Sequence, residues 1–226
     1  MKNIFHAKID QANLIFSLIP KNANTSCKLA LIETFYKDQY SKCLDTLKLN
    51  NDSFHAKTLN IFNYISNAEL FISDMYFRVA VIRNPYDRLL VGYINKISKL
   101  HLTNRKSRFG FTHNNKPITF EMFINQIINT EVDKLDHHFM PQYKFLTFND
   151  SILLNDYLIR YEDLDNGWKE LQIMLSEKYD IDLSDLPHCN ETKKDISKYF
   201  TQDLADKVYN FYKRDFELFT YHKNDF

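Results

Sequence analysis

Glycine is scarce. Three residues of 226 are glycine, Gly92, Gly110 and Gly167, and each stands alone. That excludes a G-x-G-x-x-G dinucleotide loop and a G-x-x-x-x-G-K phosphate loop, which need clustered glycines to bring backbone against a pyrophosphate. Cysteine is equally sparse. Cys27, Cys43 and Cys189 are odd in number and lack C-x-x-C spacing, which argues against a disulfide framework or a zinc knuckle and suits a reducing compartment. Long hydrophobic runs are missing too. The longest, Leu14 to Ile19, is interrupted by Ser17 and falls well short of the roughly 18 residues of a membrane span. The first ten residues carry Lys2, Lys8 and Asp10 and lack the apolar segment of a secretory leader. The sequence therefore predicts a soluble, cytoplasmic chain with no transmembrane segment, with a luminal portion of a membrane-anchored protein as the alternative. Net charge is also lacking, with 29 basic against 29 acidic residues, which argues against a dedicated nucleic-acid coat protein.

What is present suffices for a core. Hydrophobic residues make up 44% and aromatics 15% of the chain, consistent with a single domain over residues 1–226. Asn13 to Ile19 is a short apolar run ending at Pro20, the pattern of a buried parallel strand. Thr25 or Ser26 then caps a helix through about Tyr36. Ser66 to Glu69 has capping-box spacing. Phe77 to Ile82 predicts a second buried strand, followed by Pro85 and a helix to Lys99. Phe120 to Ile128 predicts a helix capped by Thr119, and Tyr157 to Tyr161 a third strand. Helices near 165–179 and 201–216 complete the pattern. Strands alternating with helices predict an α/β fold with a central, mainly parallel sheet flanked by helices. In such sheets ligands sit at the carboxyl ends of the strands.

Two strand ends carry anion-binding chemistry. The first reads Pro20-Lys21-Asn22-Ala23-Asn24-Thr25-Ser26-Cys27-Lys28. A strand turning sharply into a helix aims several backbone N–H groups at one spot, where the helix dipole also favours an anion. Asn22 and Asn24 tolerate the left-handed backbone such a nest requires, Ala23 keeps the approach open, Thr25 and Ser26 add hydroxyls, and Lys21 adds a positive charge. A capped helix start beside a surface lysine is the competing reading. The second strand end reads Arg83-Asn84-Pro85-Tyr86-Asp87-Arg88-Leu89-Leu90-Val91-Gly92-Tyr93. The Arg83 fork can grip a phosphate by paired bonds; Asp87 can instead pair with Arg83 or Arg88 in a purely structural network.

Together these segments resemble the two signatures of sulfotransferases that use 3′-phosphoadenosine 5′-phosphosulfate (PAPS). There a P-K-x-x-x-T-S loop holds the 5′-phosphosulfate and an R-x-P-x-x-R-x-x-S-x-Y segment holds the 3′-phosphate. The wording is most similar to the carbohydrate sulfotransferases of the HNK-1, chondroitin 4-O and uronyl 2-O group. Three further segments continue the resemblance in order: His138-Phe139-Met140-Pro141-Gln142 to H-W-x-P-Q, Tyr161-Glu162-Asp163-Leu164 to Y-E-x-L, and Asp215 to Tyr221 to D-F-x-x-F-x-Y. The resemblance implies a three-layer, P-loop-like fold. It implies a cofactor site of Lys21, Asn22, Ala23, Asn24, Thr25, Ser26, Arg83, Val91 and Tyr93. One departure stands out. Val91 occupies the family's serine position, and losing a hydrogen bond to a charged group costs roughly 1.5–3 kcal/mol unless Tyr93 or the Thr192-Lys193-Lys194 stretch replaces it.

The implied reaction is in-line transfer of a sulfuryl group from PAPS to a carbohydrate hydroxyl, leaving adenosine 3′,5′-bisphosphate. Lys21 is the expected stabiliser at the bridging oxygen. A sulfuryl group carries less charge than a phosphoryl group, so no metal is expected. Two histidines are open as base. His55 lies between the two cofactor motifs, where the uronyl 2-O branch implies one, and His138 comes with the H-W-x-P-Q resemblance; Glu33 and Glu162 remain alternatives. Arg88 to Phe120 contains seven basic residues and no acidic one. Arg88, Arg105, Lys106 and Arg108 are accordingly expected to receive a saccharide acceptor, with no nucleic-acid partner. The competing functions are a nucleotide-dependent phosphotransferase and a non-catalytic protein that binds adenosine bisphosphate or a glycan.

Overall fold

The computed structural model describes residues 5–98, 116–189 and 195–226. In chain order the elements are β1 (His6–Ile9), β2 (Leu14–Ser17), α1 (Asn24–Phe35), α2 (Lys37–Leu49), α3 (Asn51–Thr58), β3 (Asn63–Ile65), α4 (Asn67–Phe71), β4 (Phe77–Ile82), α5 (Pro85–Lys96), α6 (Phe120–Ile128), α7 (Tyr143–Leu146), β5 (Thr147–Phe148), β6 (Ile152–Leu153), β7 (Tyr157–Arg160), α8 (Leu164–Tyr179), α9 (Gln202–Phe211) and α10 (Lys213–Leu218). They divide into two compact units, each assembled from two stretches: Met1–Ile82 with Lys144–Glu191, and Arg83–Tyr143 with Thr192–Phe226. Among the described residues no helix is long and apolar enough to cross a membrane.

The first unit holds a five-stranded sheet in the order β3-β1-β2-β4-β7. β2, β4 and β7 run parallel, and β1 is antiparallel to both its neighbours, so four of the five strands share one direction. The fold is thus α/β with a mainly parallel sheet flanked by helices. Side chains alternate across a strand, and β2 shows both destinations. Leu14 and Phe16 join a large core with α1, Trp168, Leu171 and Leu175, whereas Ile15 meets Ile65, Leu70 and Leu154. Every residue of β2 is buried, as expected of a strand covered on both faces. α1 is buried continuously from Thr25 to Ile32, so it is a core helix and not a surface one. α8 lies close on β7: a Cβ at Gly167 would come within 2.7 Å of Ile159 Cγ2, which makes glycine the residue that fits there.

One buried polar network ties this sheet together. His6 is fully buried; its Nδ1 lies 2.8 Å from Ser17 Oγ and its Nε2 3.0 Å from Asn67 Oδ1. The Asn67 amide nitrogen already donates to the Lys144 and Thr147 carbonyls, so Oδ1 accepts and His6 carries its hydrogen on Nε2. Nδ1 then accepts from the Ser17 hydroxyl. Burial lowers the His6 pKa to about 4, against 6.5 when exposed, despite the Asn67 bond. The folded protein therefore binds this proton more weakly than the unfolded chain. Its contribution is complete above about pH 6.5 and is lost as pH falls towards 4. We expect the wild type to lose roughly 3 kcal/mol more stability than His6→Gln across that interval, measured by denaturant unfolding at both ends. Equal losses would dismiss the assignment.

The second unit is built on aromatic packing. Tyr86 of α5 contacts Phe200, Phe216 and Phe226, and Tyr93 contacts Phe120, Phe123 and Tyr199. Asn84 caps α5 through the Tyr86 N–H, with Pro85 in the first turn. The single helix expected over 201–216 is two helices, α9 and α10, that meet at Tyr212. At that junction Tyr212 leaves helical backbone (φ −96°, ψ 15°), and its hydroxyl donates to the Phe139 carbonyl.

Candidate functional site

In the first unit the chain leaves β2 through Leu18, Ile19 and Pro20, turns, and enters α1 at Asn24. The turn is made by left-handed backbone at Lys21 (φ 72°) and Ala23 (φ 52°), not by the asparagines expected there. The asparagine side chains have another use: Asn22 Nδ2 donates to the Val81 carbonyl at 2.8 Å and Asn24 Nδ2 to the Leu18 carbonyl at 2.5 Å. They tie the loop to the ends of β2 and β4 and hold in place two residues whose backbone costs about 1–2 kcal/mol each. Ala23, the residue before α1, contributes no side-chain cap, and Thr25 and Ser26 behind it are buried. A buried helix start without a side-chain cap leaves N–H groups directed outward and favours an anion.

α3 flanks α1 here. Thr25 Oγ1 donates to Asn51 Oδ1 at 3.4 Å, while Lys28 Nζ donates to Thr58 Oγ1 at 2.9 Å and lies 3.2 Å from His55 Nδ1. Lys28 is only 5% exposed, and burial lowers its pKa to about 8. Among the described residues no carboxylate pairs with it, so the first turns of α1 carry a buried positive charge that an anion would compensate. The loop N–H groups, the Thr25 and Ser26 hydroxyls and Lys21, with the buried Lys28 charge behind them, make a donor set suited to an anionic group. Sequence reasoning passed over Lys28. Its signal was a lysine inside an otherwise apolar helical stretch.

In the second unit Arg83 is nearly buried. Its Nε donates to Asp87 Oδ2 at 2.8 Å, four residues along α5. Gln142 brackets the Arg83 backbone: Oε1 accepts its N–H at 2.9 Å and Nε2 donates to its carbonyl at 2.8 Å. Buried Asp215 accepts the Gln142 and Tyr143 backbone N–H groups at 2.7 and 2.8 Å. Burial raises its pKa to about 6 against those bonds and the Arg88 charge. Arg88 is 2% exposed and donates to the Met140 and His137 carbonyls at 2.8 and 3.2 Å. That work differs from the acceptor contact expected of it, because a guanidinium buried on two carbonyls is a brace for the 137–140 segment. The H-x-x-P-Q-like, Arg83-to-Tyr93 and Asp215 segments thus form one hydrogen-bonded network, a role the sequence motifs did not disclose.

Gly92 lets α5 approach that segment, since a Cβ there would meet Phe139 Cε1 at 2.9 Å. Val91 is buried. Tyr93 donates its hydroxyl to the Ile118 carbonyl at 2.7 Å, so the proton it was expected to offer in place of the family serine is already engaged. His138 lies beside Asp136, its Nδ1 2.5 Å from Oδ1. Asp136, His137 and His138 bring their ligand-type atoms within 4.8 Å of one another, a closeness that the Asp136–His138 hydrogen bond itself produces. Thr192 and Lys193, and Arg105, Lys106 and Arg108 of the basic stretch, lie outside the described residues.

The sequence model of the family described as "Sulfotransferase family" matches residues 7–222. No curated protein and no solved structure matches the chain.

Proposed function

The chain belongs to the sulfotransferase family, and from this premise we propose that it takes its sulfuryl group from PAPS and delivers it to a carbohydrate hydroxyl. The observation that carries the reading is the glycine-free anion nest after β2, with left-handed backbone at Lys21 and Ala23, no side-chain cap on α1, and buried Lys28 behind it. When bound, PAPS supplies an activated sulfuryl group whose bridging oxygen gains negative charge as transfer proceeds. Lys21 neutralises that charge, aided by the loop N–H groups and the Thr25 and Ser26 hydroxyls. Arg83, its backbone fixed by Gln142, takes the 3′-phosphate. His55 or His138 removes the acceptor proton, and the basic stretch after Arg88 favours an anionic or polyhydroxylated acceptor.

A non-catalytic bisphosphate-binding protein is the second reading, favoured by Val91 at the family's serine position. Calorimetry with adenosine 3′,5′-bisphosphate and with ATP, followed by transfer of labelled sulfate from PAPS to a panel of unsulfated oligosaccharides, separates the possibilities. We expect the bisphosphate to bind at least about tenfold more tightly than ATP, a difference of about 1.4 kcal/mol, and one or more oligosaccharides to become labelled. Preference for ATP would favour the phosphotransferase. Bisphosphate binding without labelling would favour the second reading.

A further inference from the structure

Single exposed apolar side chains are ordinary on a protein surface, whereas a contiguous group of them marks a place where something docks. Among the described residues ten large apolar side chains are exposed, and five of them fall in two short stretches of the first unit: Phe71, Ile72 and Met75 in and after α4, and Ile152 and Leu153 in β6. The two stretches are fixed against each other. The Asn67 amide at the start of α4 donates to the Lys144 and Thr147 carbonyls, and the Phe71 ring stacks on Phe148 of β5 with centroids 4.3 Å apart. Phe148 pairs with Ile152 across the β5–β6 ribbon and packs underneath on Ile15, Ile65, Leu70 and Leu154. Left-handed backbone at Asn149 (φ 49°) and Asp150 (φ 57°) turns the chain between them, closed by the Ser151 N–H on the Phe148 carbonyl at 3.2 Å. Two consecutive left-handed residues match the twist of a hairpin, so the ribbon is preformed. The result is an apolar row of Phe71, Phe148 and Ile152, continued by Ile72 and Met75, which are 75% and 82% exposed. Leu153 turns to the other side of the ribbon.

The charge around this row has one sign. Residues 66–76 and 147–154 contain Glu69, Asp74 and Asp150 and no lysine or arginine, and all three acids are exposed. Asp74 stands between Ile72 and Met75, and Asp150 between Phe148 and Ile152. The nearest bases along the chain are already held by carboxylates: Lys144 by Asp150 at 2.8 Å and Arg78 by Asp156 at 2.6 Å. We propose that this patch docks an amphipathic helical segment of another protein, apolar along one side and rich in lysine or arginine along its flanks. The inference does not depend on sulfuryl transfer. The acids choose the occupant, because complementary charge steers a basic partner in and repels the alternatives. An anionic lipid surface would meet Asp74 and Asp150 head on. A second copy docking through the same patch would set acids against acids, since a two-fold contact places like surface on like. The anchors come from a helix end, a turn and a ribbon, and side chains so arranged suit a helix laid across them better than a strand added to a sheet edge. Met75 adds an unbranched, adaptable side chain of the kind common where apolar helices are bound.

The probe is a fluorescent leucine–lysine peptide with leucine at i, i+3, i+4 and i+7, titrated with the full chain and followed by anisotropy. Two further peptides serve as comparisons, one with glutamate in place of lysine and one with the leucines scrambled off a common face. The leucine–lysine helix is expected to bind at least about tenfold more tightly than either and to lose affinity as salt is raised. Ile72→Ser combined with Met75→Ser should weaken it at least about tenfold, and Asp74→Lys should weaken it several-fold while improving binding of the glutamate peptide. These are exposed positions, so the unfolding midpoints should stay at the wild-type value, and peptide-induced protection from hydrogen exchange should centre on residues 70–76 and 147–153. Absence of binding by the leucine–lysine peptide would overturn the proposal. So would equal affinity in the Ile72→Ser/Met75→Ser variant, or equal binding of the glutamate peptide. A dimer seen in sedimentation and dissolved by that variant would also overturn it, assigning the patch to a second copy. Flotation with vesicles of phosphatidylcholine and phosphatidylserine, lost in the same variant, would assign it to a lipid surface instead.

Discussion

Lys21→Ala is expected to lower sulfuryl transfer by at least about a thousandfold while the protein stays folded. In the proposed reaction, charge accumulates on one bridging oxygen, and a cationic donor aimed there stabilises the transition state far more than the bound ground state. No neighbour replaces that charge easily. Lys28 is buried with its ammonium on Thr58 and His55, and the loop's other contributions are neutral N–H and hydroxyl groups. The backbone is not the reason for the loss. Lys21 already holds φ at 72° with a Cβ in place, so alanine adds no new strain, and the Asn22 and Asn24 struts that hold the loop remain. Single-turnover transfer of labelled sulfate measures the loss; thermal unfolding should shift by no more than about 0.5 kcal/mol, as for an ordinary partly exposed substitution. Lys21→Arg should retain a fraction of the rate, because it keeps the charge but presents a planar fork where a compact ammonium is needed. Near-wild-type turnover in Lys21→Ala would remove the central assignment.

The location of this loop is legible in the sequence because its signals are local. An apolar run stops at Pro20, a polar turn follows, and an apolar helix resumes. β4 and α6 are found over their full lengths for the same reason, and the Ser66 capping box and Thr119 cap appear where the spacing puts them. The distribution of strain inside the loop is not local. Whether Asn22 or Lys21 turns left-handed depends on the Val81 carbonyl, 59 residues away, being there to accept an amide. β1 was missed for a similar reason: its four residues become a strand only by pairing with β2 and β3. α3 was also missed, since only Phe54 and Thr58 of its eight residues are buried, too few for a periodic apolar face. It nevertheless supplies His55. Gln142 and Asp215 were visible as motif letters without an office. Their work is to join segments 59 and 73 residues apart, which no window along the chain can register.

Arg88 shows what that network demands, and Arg88→Met is expected to cost about 3–5 kcal/mol of stability. Methionine fills much of the same space, so the loss comes from polar accounting and not from a cavity. The Met140 and His137 carbonyls lose their guanidinium donors, at about 1–3 kcal/mol for each acceptor left without a partner away from water. Asp215 loses a favourable charge. Its pKa is already raised to about 6 by burial, with its two backbone bonds and Arg88 opposing, so removing Arg88 raises it further. The sign follows. A carboxyl whose folded pKa lies above its unfolded value is most stabilising when protonated, and that stability drains away as pH rises through the folded pKa. The deficit of Arg88→Met should therefore be smaller at about pH 5 than at about pH 8. Adding Asp215→Asn should flatten that dependence by removing the titrating group. Arg88→Lys should fall between, since one ammonium cannot reproduce a fork spanning two carbonyls. Denaturant midpoints at the two pH values, with hydrogen exchange at the Phe139 and Met140 amides as the local reporter, carry the test. A loss under about 1 kcal/mol, or a deficit independent of pH, would mean that Arg88 does not brace this segment and would return it to the acceptor-binding role read from the sequence.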